Sequence, residues 1–321
     1  MAIKKRISEE LNVSKTTVSR VLNNCGGVEY ATKEKILELA VKYGYKRYLT
    51  ADVGIVMPKN PKYFWNGLYR NTVRSFRDAG YNVSAFVYSS LNYEEDALVC
   101  LSNALESNIS VLIAALPDTP RVREIIEKHS GKMLIILLEE FFDAVNTFYV
   151  GNDDEKTGYG LTSAYMDAYP ERRRFAAILT TEHQNMKIRC KGFERAVREK
   201  GGTFRYVRIS EYDKLLHAHA ARELYKIKDE IDCVFCPDGI MNEIGHAIYK
   251  LNVGDKIHTI GLEENSESRK YIDLGVIKGI AAQDLDGQIE KCVEVVNEYM
   301  TNFSYPDKKR HCIKSNDIIF D

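Results

Sequence analysis

Val13-Ser14-Lys15-Thr16-Thr17-Val18-Ser19-Arg20-Val21-Leu22-Asn23-Asn24 decides how the chain begins. Ser14 stands just before a periodic run, where its hydroxyl oxygen can cap the free N–H groups of a first helical turn. From Lys15 to about Asn23 the apolar residues Val18, Val21 and Leu22 share one face at helical spacing. Upstream, Ile3, Ile7 and Leu11 repeat every fourth residue, and Asn12-Val13-Ser14 breaks that pattern. Downstream, Asn24-Cys25-Gly26-Gly27 reads as a loop. Thr32 to Tyr43 then reads as a third helix with Ile36, Leu39 and Ala40 inward, and Gly44 ends it. Helices this short do not persist singly, so residues 1–47 are expected to form one small all-α domain.

Charge sets this end apart. The whole chain of 321 residues carries a net charge of −1, which by itself points to no polyanionic partner. Residues 1–50, however, hold ten Lys/Arg (Lys4, Lys5, Arg6, Lys15, Arg20, Lys33, Lys35, Lys42, Lys46, Arg47) against five acids. A basic end on an acidic body is the asymmetry of a chain in which one module touches phosphates.

From Asp52 onward apolar runs alternate with helical patterns. The runs are Val53–Met57, Val83–Tyr88, Val111–Ala115, Met133–Leu138, Phe148–Val150, Phe175–Thr180, Phe204–Ile209, Cys233–Cys236, Ile257–Ile260 and Gly279–Ala282. Helical patterns lie between them, among them Leu68–Ala79, Gly158–Ala168, Lys191–Lys200, Leu215–Lys228 and Leu285–Met300. Apolar strands separated by helices imply parallel sheets covered on both faces. About ten strands exceed one comfortable sheet, so the expected class is α/β with two doubly wound lobes. The first is expected to take in about 52–152 and 284–301, the second about 153–283 and 302–321, and residues 48–51 are read as a short linker.

The seven cysteines are an odd, scattered set, as expected of reduced thiols. Cys233 and Cys236 have redox-motif spacing, but they lie in a strand-like run and read as a buried structural pair. Met-Ala-Ile-Lys-Lys-Arg-Ile carries no apolar stretch of a secretion signal, and no apolar run approaches a membrane span. The expectation is a cytoplasmic protein with no membrane partner.

A helix-turn-helix lays its second helix in the major groove, with residues near that helix's N-terminus on base edges. Here those are Lys15, Thr16 and Arg20. Lysine and arginine donate to guanine O6 and N7, and threonine offers a hydroxyl and a methyl. Ser14, Thr17, Ser19 and Asn23 are short polar groups suited to phosphate oxygens. The bland reading, a three-helix unit with a solvated face, fits the spacing equally well, and only the residues themselves tip the balance.

Val13–Asn24 closely resembles the recognition segment of the lactose/galactose repressor (LacI/GalR) family. Ala31-Thr32-Lys33-Glu34-Lys35-Ile36 and Gly44-Tyr45 resemble that family's third helix and its end. The resemblance implies a transcription regulator, most simply a repressor, that binds a pseudo-palindromic duplex operator as a homodimer. It also implies that residues 52–321 have a type I periplasmic-binding-protein fold closing on a small polar effector such as a sugar. Two departures stand out. Glu29 occupies the place of a Ser that usually caps the third helix. The Pro and hinge helix that usually follow Gly-Tyr are missing, since Gly44-Tyr45-Lys46-Arg47-Tyr48-Leu49-Thr50-Ala51 leads directly into a strand.

The same resemblance nominates ligand contacts beyond the carboxyl ends of strands, where α/β sheets bind their ligands. Phe64 and Trp65, the chain's single tryptophan, follow the first strand and match aromatics that stack on a sugar ring, although packing alone is a sufficient role for them. Glu139 stands where related binders have an Asp that accepts from hydroxyls. Glu140 replaces their Arg, which removes a donor and adds charge. Asp153 opens the second lobe, as ligand contact or as helix cap. Arg189 matches a clamp for hydroxyls or a carboxylate. Asp238, Glu263 and Gln283 complete the set. An acid-rich set with one Arg suits a polyhydroxylated ligand and equally a cationic one.

Two other classes fit less well. A solute-binding protein would share the body but not the head. An enzyme is disfavoured because no nucleophile elbow, glycine-rich phosphate loop or histidine-rich metal motif is present, and no cofactor, metal or catalytic residue is assigned. Without a hinge helix to wedge a base step, the expected outcome is operator binding with little central bending. A circular-permutation gel assay checks this, and a strong bend at the operator centre would contradict it.

Overall fold

The computed structural model describes residues 3–22, 28–43, 45, 52–59, 63–89, 93–107, 109–180, 183–209, 216–262, 266–302 and 309–320. The 48–51 linker lies outside them. In the head, α1 (Ile3–Glu10), α2 (Lys15–Leu22) and α3 (Tyr30–Lys42) pack on Ile7, Val18, Val21, Leu22, Ile36 and Ala40. Leu39 is half-buried at the margin of that core.

The body then alternates as the apolar runs require. In chain order it has β1 (Asp52–Lys59), α4 (Tyr63–Asp78), β2 (Asn82–Ser89), α5 (Tyr93–Glu106), β3 (Val111–Ala114), α6 (Pro120–His129), β4 (Leu134–Leu138) and β5 (Phe148–Asn152). Next come α7 (Asp154–Ala168), β6 (Arg174–Leu179), α8 (Gln184–Glu199), β7 (Thr203–Arg208), α9 (Leu216–Ile227), β8 (Cys233–Cys236) and α10 (Met241–Lys250). The chain finishes with β9 (His258–Leu262), α11 (Ser266–Asp273), β10 (Ile277–Ala282), α12 (Leu285–Asn302), β11 (Arg310–Ile313) and β12 (Asn316–Ile319).

The strands form two sheets, ordered β11-β5-β4-β3-β1-β2 and β12-β10-β9-β8-β6-β7. Strands β1 to β5 pair in parallel, as do β6 to β10, and β12 returns antiparallel to β10. The central strands β3, β4, β8 and β9 are buried throughout, which is why they read as unbroken apolar runs. The chain divides into two units. One comprises Met1–Leu138, Asp143–Val150 and Ile289–His311, and the other Glu139–Phe142, Gly151–Gln288 and Cys312–Asp321. The short segment Glu139–Phe142, read from the sequence with the first lobe, groups with the second unit because its partners are there, as described below.

Two local features differ from the sequence reading. α4 begins at Tyr63 and α8 at Gln184, earlier than the apolar periodicity starts, so Phe64, Trp65 and Arg189 stand on helices. β11 and β12 lie beyond the apolar runs of the sequence, since four-residue edge strands carry little signal. Cys233 and Cys236 are fully buried on opposite faces of the second sheet, one in each of its two cores, and burial pushes both thiols up.

In the second unit, α7 and α8 meet backbone to backbone. A Cβ on Gly158 would stand 2.0 Å from the Arg189 carbonyl oxygen, and one on Gly192 would stand 2.0 Å from that of Glu155. Side chains of any size are excluded at both positions, so the crossing fixes how Asp154 on α7 faces Arg189 on α8. Gly192→Ala is therefore expected to cost about 1–3 kcal/mol or more of unfolding free energy through overpacking. Gly67→Ala in α4, where nothing lies within 4 Å of the added methyl, should instead stabilise by ~0.4–1 kcal/mol. Chemical denaturation of both variants checks this, and equal effects would contradict the assigned contact.

Candidate functional site

The head presents α2 outward. Val18, Val21 and Leu22 are buried, whereas Lys15, Thr16 and Arg20 are exposed on the other side of the helix. Ser14 is the N-cap: its Oγ accepts from the Thr17 N–H at 2.9 Å and pairs with Thr17 Oγ1 at 2.8 Å. Ser19 Oγ accepts from Lys4 Nζ at 3.3 Å, so a cation of α1 stands beside the α2 hydroxyls. Lys4 was not singled out in the sequence, because a lysine in a charged first helix has no distinguishing pattern. Tyr43 ties α3 to α1 by donating to Glu10, with the Arg6 guanidinium 4.0 Å from its ring centroid. Asn23 lies outside the described residues.

In the first unit Phe64 and Trp65 occupy the first turn of α4. Both are half-buried, with rings edge to face at a centroid distance of 5.1 Å. Glu263 lies outside the described residues.

The second unit gathers most of the remaining polar candidates. Arg189, 5% exposed, donates from Nε to Asp154 Oδ1 at 2.6 Å and from Nη1 to the Pro237 carbonyl at 3.0 Å. The buried carboxylate of this pair is Asp154, one residue beyond the nominated Asp153. Asp153 stands at the N-cap of α7, makes no side-chain cap bond and pairs with Lys156 at 2.7 Å. The signal that finds Asp154 is helical register. It lies on the buried stripe of α7 with Thr157, Gly158, Leu161 and Tyr165. Asn152, at the end of β5, donates to Asp154 at 3.2 Å and to Thr157 Oγ1 at 2.9 Å, and Thr157 in turn pairs with Ser315 at 2.7 Å.

Glu139 follows β4 and is 3% exposed. Its φ of +66° is in the left-handed region, costly for a residue with a Cβ and typical of constrained sites. The Asn185 amide donates to its carbonyl oxygen at 2.5 Å. With its amide nitrogen facing Glu139, Gln283 donates to both carboxylate oxygens at 3.2 Å. The fully buried Gln288 amide lies beside the same carboxyl and favours its charged form, yet neither of its amide atoms closes a hydrogen bond of normal geometry. Burial, reinforced by repulsion from Asp154 and opposed by Arg189, pushes the Glu139 carboxyl up to about 8. Asp238, buried after β8, accepts a hydrogen bond from Thr180. Glu140 lies 3.9 Å from His183.

Glu139, Arg189, Asp238 and Gln283 thus stand in one unit, linked through Asp154, Pro237 and Asn185, which the sequence reading did not nominate. The set is rich in fixed acceptors and holds its guanidinium in a buried ion pair, where removing one partner leaves an uncompensated charge.

Residues 53–302 match the family described as periplasmic binding protein domain, and residues 5–47 match bacterial regulatory proteins, lacI family. The chain is 25% identical over 219 residues to catabolite control protein A of Priestia megaterium, a match covering 64% of either chain. It is 23% identical over 255 residues to the HTH-type transcriptional repressor PurR of Photobacterium profundum, covering 75% of either chain. Among solved structures, GanP, a glucose-galactose binding protein from Geobacillus stearothermophilus, superposes with a TM-score of 0.73 at 16% identity, over 84% of this chain and 98% of that one.

The raised Glu139 carboxyl has a stability consequence. Its unfolded form ionises near pH 4.5 and its folded form only near 8, so the folded state loses stability as pH rises between those values. Glu139→Gln removes this loss. The variant's stability advantage over the parent should grow by about 1–4 kcal/mol from pH 5 to pH 8 and level off above. Parallel stability curves for the two proteins would contradict it.

Proposed function

This chain belongs to the periplasmic binding protein domain family and carries a lacI-family head, and from that premise we propose that it is a transcription regulator, most simply a repressor. Its head binds duplex DNA, and its DNA affinity is set by a small polar effector held by the body. The observation that carries this reading is the joining of an exposed polar α2 face to a body whose buried polar side chains cluster after the carboxyl ends of strands.

Lys15, Thr16 and Arg20 read base edges in the major groove. Ser14, Thr17, Ser19 and Asn23, with Lys4 beside Ser19, hold phosphates and the register of the helix. The chain acts as a homodimer on a pseudo-palindrome, in the cytoplasm where its operator is. Among the described residues no helix is long and apolar enough to cross a membrane.

The body binds a carbohydrate or related polyol. Phe64 and Trp65 supply ring faces, and Glu139, Asp153, Arg189, Asp238, Glu263 and Gln283 supply polar contacts. The glucose-galactose binding protein of the same fold supports a carbohydrate ligand. Regulation is linkage: an effector that prefers one arrangement of the body shifts DNA affinity by its differential binding free energy.

The test begins with selection of a preferred sequence from random duplexes by the full chain. Lys15→Ala or Arg20→Ala should then weaken binding to that sequence by about 5- to 150-fold, equivalent to 1–3 kcal/mol, and weaken non-specific duplex much less. Failure to enrich any sequence, or equal losses on both duplexes, would contradict base reading by α2.

A further inference from the structure

The arginines of α4 lack the counter-charges that arginines elsewhere in the body have. Arg70, Arg74 and Arg77 recur at helical spacing, so they share one face of α4, and all three are exposed. Other body arginines are held by carboxylates, as Arg121 is by Glu95, Arg174 by Asp232 and Arg195 by Glu155. Among the described residues none of the α4 three has an ion pair, and Arg74 only donates to Asn71 at 3.4 Å. Asp78, in the last turn, is the single acid of α4. Like charges at these spacings destabilise the helix that carries them.

α12 carries the opposite pattern. Glu290, Glu294 and Glu298 recur at every fourth residue and are exposed. Lys291 donates to Glu294, whereas Glu290 and Glu298 have no ion pair among the described residues. Both rows belong to the same unit. Tyr81 joins the two helices: its N–H donates to the Phe76 carbonyl of α4 at 3.0 Å, and its hydroxyl donates to Asn297, next to Glu298. At about 1.5 Å per residue, the basic row is about 10 Å long and the acidic row about 12 Å.

A basic row beside an acidic row of similar length is complementary to a copy of itself. In a two-fold contact the same patch serves both partners. Turned about that axis, each basic row meets the acidic row of the other copy, and the match is made twice. A partner of one sign would cover one row and be repelled by the other. We infer that the exposed faces of α4 and α12 are where two copies of this chain meet, with Arg70, Arg74 and Arg77 of one copy facing Glu290, Glu294 and Glu298 of the other. This rests on the reading of the chain as a homodimeric regulator and names the surface that pairs its two heads. Exposed ion pairs add little affinity singly, so the seam acts on specificity: it rejects registers in which like charges are opposed.

The experiment uses analytical ultracentrifugation of the full chain without DNA. The parent is expected to dimerise with an affinity that falls as salt rises. Two variants each reverse one row: Arg70→Glu/Arg74→Glu/Arg77→Glu, and Glu290→Lys/Glu294→Lys/Glu298→Lys. Each alone opposes like charges and should self-associate about tenfold or more weakly than the parent. Mixed in equal amounts, with one of them fluorescently labelled, the two should form a heterodimer, because both seams then join opposite charges. The single changes Arg74→Glu and Glu294→Lys repeat the test should a triple variant lose its helical circular dichroism. A monomeric parent, variants that dimerise as well as the parent, or a mixture that yields no heterodimer would overturn the assignment. A dimer unmoved by either reversal removes the seam and leaves the regulator reading standing. A dimer that behaves as expected yet enriches no duplex sequence keeps the seam and removes the regulator.

Discussion

Gly158 of α7 and Gly192 of α8 let two helix backbones meet where a Cβ on either would lie 2.0 Å from a carbonyl oxygen of the other helix. Most of the second unit's polar chemistry follows from that approach. It brings Asp154, at the start of α7, against Arg189, in the second turn of α8, and buries both. A buried ion pair contributes little net stability by itself, but each member becomes hard to remove once both are out of water. Asp154 in turn holds Asn152, and Arg189 holds the carbonyl before Asp238. One close helix contact thus sets the positions of side chains from β5, α7, α8 and the segment after β8.

Glu139 occupies the remaining side of this arrangement under opposing demands. Its backbone is in a region unfavourable to a side chain, its carboxyl is dehydrated, and Asp154 repels the charge that Arg189 attracts. Arrangements of this kind persist when function supplies the compensation. The head obeys a separate logic. Its apolar core includes Ile7, Val18, Val21, Leu22, Ile36 and Ala40, and it leaves Lys15, Thr16 and Arg20 exposed on the opposite face of α2.

Much of this was legible in the sequence. Apolar runs separated by helical patterns mark each parallel strand to within a residue or two, most plainly β3, β4 and β8, which are buried on both faces and wholly apolar. Ser14 and the Val18–Val21–Leu22 stripe were equally readable from capping and period. What escaped had weaker physics behind it. β11 and β12 are short edge strands. The first turns of α4 and α8 are polar and precede the apolar period. In Asp153-Asp154-Glu155 composition cannot say which acid turns inward, and only the register of α7 does. The grouping of Glu139 with the second unit depends on Asn185 and Gln283, far along the chain, and no local pattern encodes it.

The central claim is that an occupant of the body and the DNA held by the head change each other's affinity. Thermodynamic linkage makes that coupling reciprocal. The most direct measurement is the affinity of the full chain for a bound effector, taken first without DNA and then with saturating selected duplex. The account predicts that the two constants differ, typically by about 5- to 150-fold, and by the same factor with which the effector changes duplex affinity. Identical effector affinities with and without duplex would contradict it.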